Sequence, residues 1–224
     1  MQPEQSSSKQ SSNKLQDIVA HAGKTHCASI GTSGSLLVTG GDDSLVNVWA
    51  LGRPGVVYSL QGHTAPVTSV CYDKKEEMVL AGSQSATVKL YDLQSAKQLR
   101  TITGHRSQIS ALDFHPVGNW FASGSLDTNW KLWDKRQRNC TATFKGHSDS
   151  ISHLYFSPPG KWVVTAAADG VVKVLYTCIM SCSRLRKHII NCDALVCSCG
   201  TSLQARPLQS CPMHSVLQQY SSIL

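Results

Sequence analysis

Residues 104–134 read GHRSQISALDFHPVGNWFASGSLDTNWKLWD. Gly104-His105 opens the stretch and Trp133-Asp134 closes it. Between them lie three short runs, Ile109–Phe114, Trp120–Ser123 and Trp130–Trp133, with the turn His115-Pro116-Val117-Gly118 after the first. Runs of about five residues joined by tight turns are strands. Gly, Pro or Asp interrupts every stretch within a dozen residues, which excludes a helical reading.

The same landmarks recur outward from this stretch. Gly62-His63, Gly104-His105 and Gly146-His147 lie 42 residues apart, and His21 lies 42 before His63. Four more columns keep the period: Thr39, Ala81, Ser123 and Thr165; Asp43, Ser85, Asp127 and Asp169; Asn47, Lys89, Lys131 and Lys173; Trp49, Tyr91, Trp133 and Leu175. Five columns in phase over four copies without an insertion identify a repeat protein. The second unit shows its anatomy. Val67, Ser69 and Cys71 alternate with Thr68, Val70 and Tyr72; then come Met78–Ala81, Thr87–Tyr91 and Gln98–Ile102. Four strands per unit predict one antiparallel four-stranded blade per repeat.

This pattern resembles the WD-repeat family, with Gly-His near the start of each unit and Trp-Asp near its end. The Trp-Asp pair is intact at Trp133-Asp134 and reads Trp49-Ala50, Tyr91-Asp92 and Leu175-Tyr176 elsewhere. The resemblance implies an all-β fold, a WD-repeat β-propeller. It is incomplete, with about four blades of a ring that in the family usually has seven. It also implies a structural network of the Gly-His histidine, a turn aspartate, a strand hydroxyl and the Trp. The matching residues are His63, Thr39, Asp43 and Trp49, then His105, Ser123, Asp127 and Trp133, with His147, Thr165 and Asp169 in the last unit. Which histidine pairs with which turn is open at the level of sequence. A His–Asp–Ser array also suggests catalysis, but reactive sites are not reiterated once per structural unit, whereas structural ones are. The second unit is degraded, because Ala81 and Ser85 replace the hydroxyl and the carboxylate.

Several phrases resemble one branch of that family. They are Lys14-Leu15-Gln16-Asp17-Ile18-Val19-Ala20-His21, Leu37-Val38-Thr39-Gly40-Gly41-Asp42-Asp43, Leu112-Asp113-Phe114-His115-Pro116 and Lys131-Leu132-Trp133-Asp134. In this order they look like the amino-terminal repeat domain of the katanin regulatory subunits, the non-catalytic partners of a microtubule-severing ATPase. The resemblance covers residues 14–175. It implies an interaction scaffold that directs a complex to centrosomes, spindle poles and microtubules in the cytoplasm. In the family a separate carboxy-terminal domain binds the ATPase. That domain is absent from this sequence, so strong ATPase binding is not expected. A WD-repeat adaptor of another assembly, in ubiquitin ligation or signalling, and a truncated product without independent function are the alternatives. Leu15 to Ala20 resembles the outer strand that completes the last blade of a closed ring.

Composition agrees with a turn-rich β protein: 41% hydrophobic, 16% charged and 16 Gly among 224 residues. No run of 18 apolar residues predicts a membrane span. The polar start, Gln2 to Lys9, has no apolar signal segment. The formal net charge is +7 without a long basic block, so no nucleic-acid surface is expected. Neither a dinucleotide fingerprint around Gly23–Gly34 and Gly40-Gly41 nor a Gly-rich loop ending in Lys-Ser/Thr is present. No cofactor is expected, and no catalysis. Lys135, Arg136 and Arg138 form a small basic patch after Trp133, a candidate contact surface for acidic partners. Trp130 belongs with them as either an exposed contact residue or a tilted core residue.

Residues 1–13 read as a disordered polar arm, 14–176 as the repeat segment and 177–224 as a non-homologous tail. Six of the nine cysteines crowd that tail: Cys178, Cys182, Cys192, Cys197, Cys199 and Cys211. Their spacing is poor for zinc, and a disulfide scaffold does not suit a cytosolic chain. The tail is therefore read as poorly ordered and without a metal, with a docking peptide as the alternative.

Overall fold

The computed structural model describes residues 16–176 and 196–198. The polar arm lies outside the described residues, as does the Cys-rich tail apart from residues 196–198. Sixteen strands make four antiparallel sheets, each with its strands in sequence order, and no helix occurs among the described residues. The first sheet is β1 (Thr25–Ile30), β2 (Leu36–Gly41), β3 (Val46–Ala50) and β4 (Val56–Leu60). The second is β5 (Val67–Tyr72), β6 (Met78–Ser83), β7 (Thr87–Asp92) and β8 (Lys97–Thr103). The third is β9 (Ile109–Phe114), β10 (Trp120–Ser125), β11 (Trp130–Asp134) and β12 (Cys140–Phe144). The fourth is β13 (Ile151–Phe156), β14 (Trp162–Ala167), β15 (Val171–Tyr176) and β16 (Val196–Ser198).

Two-residue alternation gives every sheet two faces, and both are apolar. Three cores result, one in each gap between consecutive sheets. Val38, Val46 and Val48 of the first sheet meet Val67, Val70, Val79 and Tyr91 of the second. Leu80, Val88 and Leu90 meet Ile109, Leu112, Phe121 and Trp133. Ala122, Trp130 and Leu132 meet Ile151, Leu154 and Val163. The innermost strands touch in series, β1 to β5, β5 to β9 and β9 to β13, with no contact of like extent between the first and fourth sheets. The four sheets therefore form an open arc of the propeller.

The two ends of the arc are built differently from its middle. Residues 16–20 form no strand. Gln16 instead bonds the turn beside β3, donating to Arg53 O and accepting from Gly52 N. The last sheet is one strand short at residue 176. Its outer strand comes from Val196–Ser198, inside the stretch read as a separate tail, with Val172 opposite Cys197. Ladder bonds use backbone alone, so a segment without the repeat pattern can fill that edge.

Candidate functional site

The polar set of the third sheet lies on the face that looks toward the second. In the third sheet Ser123 lies on β10 opposite Lys131, and Phe121 lies opposite Trp133. The Trp133 indole stacks on Phe121 and donates from Nε1 to Ser123 Oγ at 2.7 Å. Ser123 Oγ is 2.7 Å from His105 Nε2, and His105 Nδ1 is 2.9 Å from Asp127 Oδ2. With the neutral ring carrying its proton on Nδ1, protons run one way along this chain, from indole to hydroxyl to imidazole to carboxylate, and both ring nitrogens are bonded. Burial lowers the His105 pKa although Asp127 pulls it upward. Asp127 also accepts from the amides of Arg106 and Asn129, at 2.9 and 3.1 Å. Gly104 enters this site at φ 150°, and a Cβ there would sit 3.0 Å from Trp133. Both facts explain the glycine of Gly-His.

The first sheet is built the same way, but its histidine is His21. His21 Nδ1 is 2.8 Å from Asp43 Oδ1, its Nε2 is 2.9 Å from Thr39 Oγ1, and Trp49 Nε1 donates to Thr39 Oγ1 at 3.0 Å. The pairing of His63 with Thr39, Asp43 and Trp49 is thereby corrected. Each Gly-His lies in the loop that enters the next sheet, so its ring reaches the turn 22 residues downstream. The fourth sheet joins His147 to Asp169 and Thr165, both at 3.0 Å, and Leu175 supplies no indole donor.

His63 therefore lies against Tyr91, with ring centroids 6.3 Å apart, in the unit whose repeat columns hold Ala81 and Ser85. Both ring nitrogens are buried without a well-formed hydrogen bond, as is the Tyr91 hydroxyl. Burial and the Lys89 cation push the His63 pKa down to about 4, against a slight upward pull from the Ala81 backbone. The turn is held by hydroxyls instead of a carboxylate: Ser83 bonds Ser85 at 2.8 Å and Thr87 at 2.9 Å. The sequence carried no signal for that cluster. Because the folded pKa lies below the unfolded value of about 6.5, His63 supports folding above that pH. The support fades as pH falls toward about 4. The double substitution Ala81→Ser, Ser85→Asp gives the ring both partners. It is expected to raise stability by about 1 kcal/mol at neutral pH and to narrow this acid-sensitive window. Urea unfolding across the pH range checks both effects, and a large loss would mean that the second turn cannot take the repeat geometry.

A serine, a histidine and an aspartate at these distances have the spacing of an acyl-transfer triad. The surroundings oppose that chemistry. Ser123 is 0% exposed, and its oxygen already serves both Trp133 and His105. A nucleophile needs a free approach to an electrophile. The inner strands β1, β5, β9 and β13 line an open groove of about 470 Å³ that includes Cys27, Cys71 and Asp113. Burial pushes the Cys27 thiol up to about 12 and raises Cys71 too, which disfavours the nucleophilic thiolate at both. Burial also raises Asp113 to about 6 despite a bond from Phe156 N.

The candidate contact residues separate. Trp130 is a core residue, stacked on Phe144 at 3.8 Å in the gap between the third and fourth sheets. It occupies the column of Val46 and Val88, which faces the next sheet, so the contact reading of Trp130 is corrected. Lys135 is 3.4 Å from Asp73, and Arg136 is held by Asp134 at 2.8 Å. Arg136 and Arg138 are exposed.

The WD domain, G-beta repeat family matches residues 12–50, 55–92, 96–134 and 138–174. Each match after the first runs from the outer strand of one sheet through three strands of the next. The chain is 51% identical over 73 residues to a katanin p80 WD40 repeat-containing subunit B1 homologue of Arabidopsis thaliana, covering 32% of this chain and 6% of that protein. It is 50% identical over 69 residues to the katanin p80 WD40 repeat-containing subunit B1 of Gallus gallus, covering 30% and 10%. For the subunit of Danio rerio the identity is 48% over 73 residues, covering 32% and 10%. The matched stretch spans about a tenth or less of these relatives' lengths.

Proposed function

The chain belongs to the WD-repeat family, and from that premise we propose that it is a non-catalytic interaction scaffold of the katanin regulatory kind. In this proposal it attaches a microtubule-severing complex to microtubules, centrosomes or spindle poles. The observation that carries the reading is the identity of about one half to katanin p80 subunits of three organisms. Side-chain chemistry supports it. The His–Asp–hydroxyl sets consume their own donors and acceptors, which leaves recognition to exposed turns and strand edges. A formal net charge of +7 favours acidic protein surfaces. Arg136 and Arg138 are the exposed cations on the turn after β11.

Cosedimentation with microtubules tests the proposal, together with capture of partners by the tagged chain in cells. Binding is expected at low ionic strength, with a several-fold loss at physiological salt. Arg138→Glu should weaken it further while leaving the melting midpoint unchanged, because Arg138 is exposed, whereas Arg136 pairs with the buried Asp134 carboxylate. Absence of cosedimentation at low salt, with no cytoskeletal protein captured, would overturn the proposal.

A further inference from the structure

The three interfaces between sheets repeat one pattern, and the end sheets each carry an unmated half of it. Val38, Val46 and Val48 on the first sheet are buried by the second, and Leu80, Val88 and Leu90 on the second are buried by the third. Ala122, Trp130 and Leu132 are buried by the fourth. The same columns on the fourth sheet are Val164, Val172 and Val174, and all three stay partly exposed. The receiving half shows the converse. Tyr72, Phe114 and Phe156 are buried, whereas Ile30 in their column on the first sheet is 61% exposed.

Polar contacts across the gaps repeat as well. Thr68 Oγ1 bonds Gly82 O of its own sheet at 3.3 Å and Ile109 O of the next at 2.5 Å. The Ser110 hydroxyl donates to Ile151 O in the same way. Ser152, next in that column, keeps its own-sheet bond to Ala166 O at 3.1 Å and is exposed toward the open side. The matching acceptor column begins at Thr25, on the exposed edge of the first sheet. Asp113 of the third sheet accepts from Phe156 N of the fourth at 2.7 Å. One repeat further on, that pair becomes Tyr155, 64% exposed, and Ile30.

We propose that the fourth sheet of one chain seats on the first sheet of a second copy, and reciprocally. Two chains then close a ring of eight sheets with two-fold symmetry. A second copy is the occupant that carries the matching columns, since this interface is formed three times within one chain. Head-to-tail contacts of this type either close or propagate. A reciprocal pair is the smallest arrangement that covers both open faces of both chains. This association depends on packing between sheets and stands apart from the cytoskeletal reading.

Light scattering on the size-separated full chain tests it. The expected mass is twice 24.3 kDa at micromolar concentrations. Ile30→Lys and Tyr155→Asp should each give single chains with an unchanged β-type circular dichroism spectrum, because both side chains are exposed in the single chain. Mixing the two variants should restore the two-chain mass, since one interface is then native and the other pairs Lys with Asp. A wild-type chain of single mass at every concentration would overturn the proposal. So would open-ended oligomers, a pair indifferent to both substitutions, or variants that fail to recombine.

Discussion

Trp133→Ala is expected to lower stability by about 3–5 kcal/mol, the range for deleting a buried aromatic. Trp133 is 1% exposed and belongs to the core between the second and third sheets, with Leu80, Leu90 and Phe121. Its ring lies parallel to Phe121, with centroids 6.2 Å apart and 12° between planes, and tilts against His105. Removal therefore opens a cavity that two sheets share. It also takes the indole donor from Ser123, which keeps only its contact with His105. Trp133→Phe should cost less, because it restores most of the volume and loses only the hydrogen bond. Equilibrium urea unfolding measures both, and a loss under about 1 kcal/mol for the alanine variant would contradict this packing.

The second large effect is expected at Asp127. Its carboxylate accepts from His105 and from the amides of Arg106 and Asn129. Asp127→Ala leaves the amide of Arg106 and Nδ1 of a buried histidine short of an acceptor, a loss of about 1–3 kcal/mol. The effect carries a pH signature. Burial pushes the Asp127 carboxyl up, but the Arg106 amide, the His105 ring and the Asn129 amide outweigh it and hold the pKa below the usual value. A folded pKa below the unfolded value of about 3.9 gives stability that is fully present above that pH. It is lost as pH falls through the folded pKa. The difference between wild type and Asp127→Ala should thus shrink as pH falls below about 4. Asp169, held at about 2 in the corresponding turn, is expected to behave in the same way. A difference that does not shrink below about pH 4 would show that the carboxylate is not the stabilising form.

Much of this architecture is legible in the 42-residue period, because each column has one structural duty. The strands of the second and third units fall where alternation and turn residues place them, within a residue or two at the ends. The set His105, Ser123, Asp127 and Trp133 is legible for the same reason. Its internal offsets, carried back one and two repeats, lead to His63 with Ala81 and Ser85, and to His21 with Thr39 and Asp43. Following those offsets would have assigned His21 to the first sheet. Trp130 was ambiguous because a sheet between two others has two buried faces, so alternation no longer separates inside from outside. The hydroxyl cluster of Ser83, Ser85 and Thr87 depends on rotamers that no spacing encodes. The strand Val196–Ser198 was invisible because an edge accepts backbone from a segment with no repeat pattern.

Hydrogen exchange followed by mass spectrometry on His105→Ala is the most direct test of whether the repeated His–Asp–hydroxyl sets hold sheets together or perform chemistry. His105 ties the loop before β9 to β10 and to the turn after it, through Ser123 and Asp127. Faster exchange in peptides spanning β9 to β11, with a lower melting midpoint and smaller changes in the first sheet, is the predicted result. Unchanged protection throughout the third sheet, together with loss of a hydrolytic activity that the wild-type chain displays, would contradict it.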